Sequence, residues 1–430
     1  MFLAEKDFKA WTDIIGLENR FVACEVPEAT LKMMTTEALV QTILKYPLNF
    51  IYSAYGDPFA VVDLIINNSS LHRELLGRSN AAEVLLQFFA KTDIDVNNRD
   101  SVFNRDESRL MYSNEMFFEY LLASHRIPGL NTDENAKTLR ATAGRKLAER
   151  QSVPKTFSEK SLAPLRILAD KPVGGTKTAD TWTWSTPLGH SLIIDNKEEM
   201  TDDEIFWLTY SYTQNYPTVA LHAMASSRYN GHGYAWLITD PTCSVSNPAT
   251  TSNSWLERYK YGNNQLLRFW DNDFYVTGSS SDYEKVYYSS ADHSATYDSA
   301  YSPNVMSKWG DGPLMEHAIS DCPYSTSGLQ YFTIRTTIAY SAVGSITGPQ
   351  TVQHNNYYQY SFPAYRGVTS WTWSAVDLST GLSSTFQVSW STTSPTCTFI
   401  CYQSGSYKLI FDGKYNNNTI IHKELTIVGQ

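Results

Sequence analysis

Apolar positions recur at helical spacing through the first third of the chain and at alternating spacing through the last quarter, so the period itself divides the sequence. Residues from about Glu5 to Arg150 read as helices, with Leu39, Ile43 and Tyr46 on one face. Asp57 before Pro58 is a helix start, because the carboxylate can cap free N–H groups and proline needs no donor in the first turn. Asn80 with Glu83 reads as a capping box ahead of Val84, Leu85, Leu86 and Phe88. His72 and His125 lie in charged helical contexts and read as parts of solvated faces. Residues 151–180 are rich in Ser, Lys, Pro and Gly, with Pro154, Pro164, Pro172, Gly174 and Gly175, and read as a linker.

Strands begin at Thr181. Trp182-Thr183-Trp184 alternates, residues 186–189 turn, and Ser191–Ile194 is a short strand. Thr201 caps a helix whose first turn is acidic, and Pro217 stops it. A second helix starts near Gly231. Strands are expected at Asp273–Val276, Lys285–Tyr288, Ser294–Tyr297 and Val305–Trp309. From about Ser341 the alternation is regular, as in Trp371-Thr372-Trp373, Phe386-Val388-Trp390 and Tyr407-Leu409-Phe411, which predicts a β-sandwich. The fold class is multidomain α+β: a helical domain over 1–150, a linker over 151–180, an α+β domain over 181–335 and an Ig-like or PKD-like sandwich over 341–430.

Composition narrows the partners. The 430 residues carry 34 basic and 44 acidic side chains, a formal net charge of -10 that repels nucleic acid and anionic membrane surfaces. No apolar run reaches the length of a membrane span. The N-terminal residues do not read as a signal peptide. Aromatics are 13% of the chain, a texture that suits exposed sheets and carbohydrate-facing or wall-facing surfaces, with plain all-β structure as the simpler account. The five cysteines, Cys24, Cys243, Cys322, Cys397 and Cys401, include no CxxC pair, so neither a metal site nor a disulfide framework is expected, and no cofactor is expected either. Cys397 and Cys401 either pair across a bend or stay free.

Candidate chemistry gathers in three stretches: Arg228-Tyr229-Asn230-Gly231-His232-Gly233-Tyr234-Ala235-Trp236, then Ala291-Asp292-His293-Ser294-Ala295, then Ser307-Lys308-Trp309-Gly310 with Gly312-Pro313-Leu314, His317 and Cys322-Pro323-Tyr324. In this order the blocks resemble a papain-fold amidohydrolase family, akin to the NlpC/P60 and CHAP peptidases, over about 181–325. That resemblance implies a central papain-like fold. It also implies a thiol at the start of a helix, acidified by the helix dipole, with a histidine on a neighbouring strand as its base. His293 matches the base. Gly231 stands where the family has its nucleophilic cysteine, and glycine has no side chain with which to attack a carbonyl. Ser307 or Asn304 is the candidate orienting group, and Tyr229, His232, Trp236 and Trp309 are candidate cleft residues. His232 and His317 read as structural rather than catalytic. Cys243, Ser226 and Ser227 are poorly placed to replace the thiol.

A second resemblance covers about Thr30–Ala90. Met34–Leu39, Tyr46-Pro47, Glu74–Arg78 and Ala81–Leu86 resemble a helical module near the N-terminus of secreted proteins of gut Bacteroidetes and some other bacteria. It implies a secreted or cell-surface location. The expected function is a papain-like module without its nucleophile that binds a peptide or peptidoglycan stem. The alternatives are an active cysteine amidase whose thiol has been replaced at position 231, and a non-catalytic adhesion or structural protein.

Overall fold

A computed structural model of the chain describes residues 10–11, 13–92, 106–153, 157–170, 180–185, 191–239, 255–256, 259–260, 263–268, 275–297, 301–334, 345–362, 368–383, 388–390, 395–415 and 420–430. The turn at 186–189 and Pro154, Pro172, Gly174, Gly175, Cys243, Asp273 and Phe386 lie outside the described residues. The chain is multidomain α+β and forms two compact units, each drawn from separate stretches of sequence. Among the described residues no helix is long and apolar enough to cross a membrane.

The first unit comprises residues 1–180, 196–231 and 287–329, so the helical segment and part of the expected central domain share one core. Among the described residues its helices include α1 (Leu17–Ala23), α2 (Glu28–Met33), α3 (Thr36–Ile43), α4 (Pro58–Asn68), α5 (Ser70–Leu76), α6 (Ala81–Lys91), α7 (Asp106–Ala123), α8 (Asp133–Gln151), α9 (Glu159–Leu168) and α10 (Asp202–Asn215). Helix α4 starts as its sequence dictates: Asp57 accepts from the Phe59 N–H at 2.9 Å, and Pro58 holds the first helical position. Helix α6 differs. Asn80 makes no cap bond; its side-chain oxygen accepts instead from the Thr36 hydroxyl at 2.7 Å, joining the start of α6 to α3. The expected linker contains α9, capped by Ser158, with Leu162, Leu165 and Leu168 buried at a spacing of three.

Helix α10 carries a full capping box between Thr201 and Glu204. The buried Glu204 carboxylate also accepts from the Ser158 N–H at 3.0 Å and from the Ser161 hydroxyl, so one side chain ties the starts of α9 and α10. His72 is buried rather than solvated. Its Nδ1 lies 2.8 Å from the Ser69 hydroxyl and its ring meets Tyr46 edge-on, while burial pushes its pKa down to about 3. His125 is exposed, in a turn at φ 59.

Four antiparallel strands complete the first unit's sheet framework: β1 (Ala220–Ala223), β2 (His293–Tyr297), β3 (Val305–Lys308) and β4 (Leu314–His317). Strand β3 lies between β2 and β4, with Val305 opposite Tyr297 and His317, and β1 flanks β4. The strand Lys285–Tyr288, which precedes β2 in the chain, lies beside it in the sheet and brings Tyr287 and Tyr288 into this unit.

The second unit comprises residues 181–195, 232–286 and 330–430. Tyr275–Thr277 pairs antiparallel with Phe332–Ile334, and Trp236 packs edge-on against Tyr275 and Phe332. The C-terminal strands form two sheets. One is β5 (Thr351–Val352), β11 (Ile420–Gly429), β10 (Gly405–Tyr415) and β7 (Val368–Asp377) in spatial order; the other is β6 (Tyr357–Ser361), β9 (Thr396–Ile400) and β8 (Val388–Trp390). Trp373, Phe411, Tyr360, Phe399 and Tyr407 alternate inward and fill the space between them, the sandwich that the alternation predicts. Cys397 and Cys401 are both free; the Cys401 thiol donates to the Gln403 carbonyl at 2.8 Å.

Candidate functional site

The approach to Gly231 is fixed by one carboxylate and one amine. Glu199 accepts from the Ser226 hydroxyl at 2.6 Å and from the Ser227 N–H at 2.8 Å, which commits both serines to holding the loop. From β3, the buried Lys308 amine donates to the Ser226 carbonyl at 2.8 Å and to the Gly310 carbonyl at 2.7 Å, and it sits 4.9 Å from the centre of the Tyr229 ring. Burial holds its pKa well below the ordinary lysine value.

After this clamp the chain enters a short helix, α11 (Gly231–Gly233), continued by a π turn over Tyr234–Ile238. Strand β2 begins with His293, directly over Gly231. A Cβ built on Gly231 would overlap the imidazole Cε1, lie 2.5 Å from its Nδ1 and lie 2.9 Å from the Ser294 carbonyl oxygen. Gly231 and His293 are thus brought together, and the imidazole occupies the space that a side chain at 231 would need. Both residues are buried. Asp292, just before β2, adopts a left-handed conformation at φ 49, and its carboxylate accepts from the Tyr287 hydroxyl at 2.8 Å. The acid of the Asp-His pair is therefore a turn residue.

The imidazole of His293 is stacked on Tyr324, with ring centres 3.8 Å apart and planes 19° apart, and Tyr288 lies 5.6 Å away. Cys322, beside this stack, is buried and its thiol is pushed up to about 12, so it holds no thiolate at neutral pH.

Ser307 does different work from the orienting role expected of it. Its hydroxyl accepts from Trp309 Nε1 at 2.9 Å and lies 2.7 Å from His317 Nε2. His317 Nδ1 lies 2.8 Å from the Ala318 carbonyl, which can only accept, so Nδ1 carries the proton and Nε2 receives the Ser307 hydrogen. This one-directional chain satisfies every member. Burial pushes His317 down to about 4, which keeps it neutral. Asn304, the other orienting candidate, donates to Glu316 Oε1 at 3.0 Å, and Glu316 Oε2 lies 3.0 Å from His222 Nε2.

The residues assigned to a cleft are interior. Tyr229 is 3% exposed, His232 4%, and Trp236 and Trp309 0%. Trp309 packs against Tyr212, Tyr216 and His317, and Trp236 against Tyr275 and Phe332, because rings of this size contribute most to stability when fully covered. Gly310, next to Trp309, has φ 55, and a Cβ there would overlap the Ser53 carbonyl and lie 2.5 Å from that of Ala54. Glycine is required at this point. Among the described residues no cluster of His, Cys, Asp and Glu side chains is arranged to hold a metal.

No protein-family model matches the chain, and no curated protein matches it. Among solved structures it is similar to SGBP-B of the Bacteroides ovatus mixed-linkage glucan utilization locus, solved in complex with a mixed-linkage heptasaccharide. The identity is 15%, the TM-score 0.15, and the match covers 36% of this chain and 40% of that one. At that similarity it carries no argument about fold or ligand.

Proposed function

We propose that this chain is a papain-like amidase-family module of a secreted or cell-surface bacterial protein that has lost hydrolysis and serves in recognition of a peptide or peptidoglycan stem. The observation that carries the reading is the imidazole of His293 lying against the Cα of Gly231 at the start of a helix. A strand histidine facing a helix start is the arrangement that thiol acyl transfer needs. Here the position opposite the base has no nucleophile. Ser226 and Ser227 are held by Glu199, and Cys322 is buried and protonated. With the ring filling the vacant place, water and carbonyl are both kept from the centre.

The test compares the unaltered chain with Gly231→Cys on peptidoglycan fragments and simple peptides. The unaltered chain is expected to bind stem peptides in calorimetry and to release no product. In Gly231→Cys the new Cβ must push the His293 ring aside and so open the centre, and the thiol is then expected to react with iodoacetamide faster than Cys243. Turnover by the unaltered chain would overturn the loss of hydrolysis. An inert thiol at position 231 would overturn the papain-like reading, and absence of binding would leave a structural or adhesive role.

A further inference from the structure

The helical segment reaches the His293 centre through one short turn. Residues Asn49–Ser53 form a 3₁₀ helix, and the carbonyls just after it point at the two loops that bear the later sequence blocks. The Ser53 carbonyl accepts from the Asp311 N–H at 2.8 Å. The Ala54 carbonyl accepts from the Tyr324 hydroxyl at 2.8 Å. The Tyr55 hydroxyl donates to the Pro323 carbonyl at 3.1 Å, and its ring lies 5.4 Å from that of Tyr324. Gly310 comes so close to Ser53 and Ala54 that no side chain fits between them.

We propose that Tyr324 is the positioning residue of His293, and that it acts from the helical segment: the Ala54 carbonyl fixes the Tyr324 hydroxyl, and the fixed ring fixes the imidazole stacked on it. The proposal rests on the reading of His293 as the residue of an ancestral hydrolase site. An imidazole has two soft torsions, and a strand sets only its Cα. Nearly parallel stacking at 3.8 Å removes the freedom to tilt, and Tyr288 closes the side. Tyr288 is itself anchored, its hydroxyl donating to the Ile319 carbonyl at 2.9 Å. A phenylalanine at 324 would keep the stacking face and lose the anchor, so the hydroxyl carries a function that hydrophobic packing alone does not need. The turn at 53–55 is then a working part of the site, supplied by a segment distant from His293 in sequence.

The experiment uses the full chain with selectively labelled histidines, His293→Gln and His317→Gln serving to assign two of the signals. In the unaltered protein the His293 ring proton signal is expected to be sharp and displaced upfield by the Tyr324 ring current. Tyr324→Phe is expected to broaden it, and Tyr324→Leu to abolish the displacement, while the His317 signal stays in place in both as the measure of an intact fold. An unchanged His293 signal in both variants would overturn the proposal, as would equal disturbance of His317. If the thiol of Gly231→Cys is inert while the histidine signals of the unaltered chain and the Tyr324 variants behave as stated, the hydrolase reading fails and the hold of Tyr324 on His293 stands.

Discussion

Replacing Gly231 by alanine adds one methyl group at the place where the imidazole of His293 lies. The new carbon would overlap Cε1 and lie 2.5 Å from Nδ1 and 2.9 Å from the Ser294 carbonyl, against a comfortable separation of about 3.5 Å. Two effects oppose each other. Alanine restricts the unfolded chain and stabilises by about 0.4–1 kcal/mol. Overpacking a close-fitted interior costs about 1–3 kcal/mol, and turning the imidazole away also forfeits its stack on Tyr324, a further contribution of about 0.5–1.5 kcal/mol. The cost wins, and Gly231→Ala should destabilise the first unit by about 1–3 kcal/mol. Native-state hydrogen exchange of peptides within 287–329 reads that unit by itself. His293→Ala removes the obstructing ring, so the double variant should be less destabilised than the two single changes summed, with a coupling of about 1–2 kcal/mol. A neutral or stabilising Gly231→Ala, or strict additivity with His293→Ala, would show that the ring does not fill this space.

Three further outcomes follow from the buried polar groups. His72 and His317, with folded values of about 3 and about 4 against an ordinary 6.5, take up protons only in the unfolded chain as pH falls from 6.5. Stability from them is complete above pH 6.5 and is lost on acidification, by about 2 kcal/mol per histidine at pH 5; exchange-derived stability that is flat between pH 7 and 5, or unaltered in slope by His72→Gln, would contradict this. Ser307→Ala leaves Trp309 Nε1 and His317 Nε2 without partners and should cost about 2–4 kcal/mol, measured by exchange in peptides over 305–317; a cost below that of an exposed serine would refute the chain of hydrogen bonds. Cys322, buried and held near 12, should resist iodoacetamide at pH 8 until the protein is unfolded, and rapid labelling of the native chain would contradict its placement.

Local features were legible where the partners are close in sequence. Asp57 with Pro58 and Thr201 with Glu204 form the caps their spacing implies, since each bond spans at most three residues. The sandwich alternation of Trp373, Tyr407, Leu409 and Phe411 was legible for the same reason, because period two sets the buried face. Asn80 escaped because Thr36, 44 residues away, competes for its oxygen. His72 escaped because its cover comes from Tyr46 and Phe117, and charged neighbours in sequence say nothing of that. The helix within 159–168 was hidden by Pro164, whose disruption is offset by burial of three leucines. At the site, the order of the blocks pointed to Gly231 facing His293. It could not disclose the rotamer that puts the ring over the glycine, nor that Ser307 attends to His317.

The first unit is stitched from residues 1–180, 196–231 and 287–329. During synthesis, chains ordinarily fold domain by domain from the N-terminus as they emerge. Here the Ser53 and Ala54 carbonyls and the Tyr55 hydroxyl must wait until the ribosome has delivered Asp311, Tyr324 and Pro323. A stalled or truncated product ending before residue 311 therefore leaves these groups of the 53–55 turn without their partners. It offers chaperones and proteases a mark of incompleteness that the finished chain withdraws.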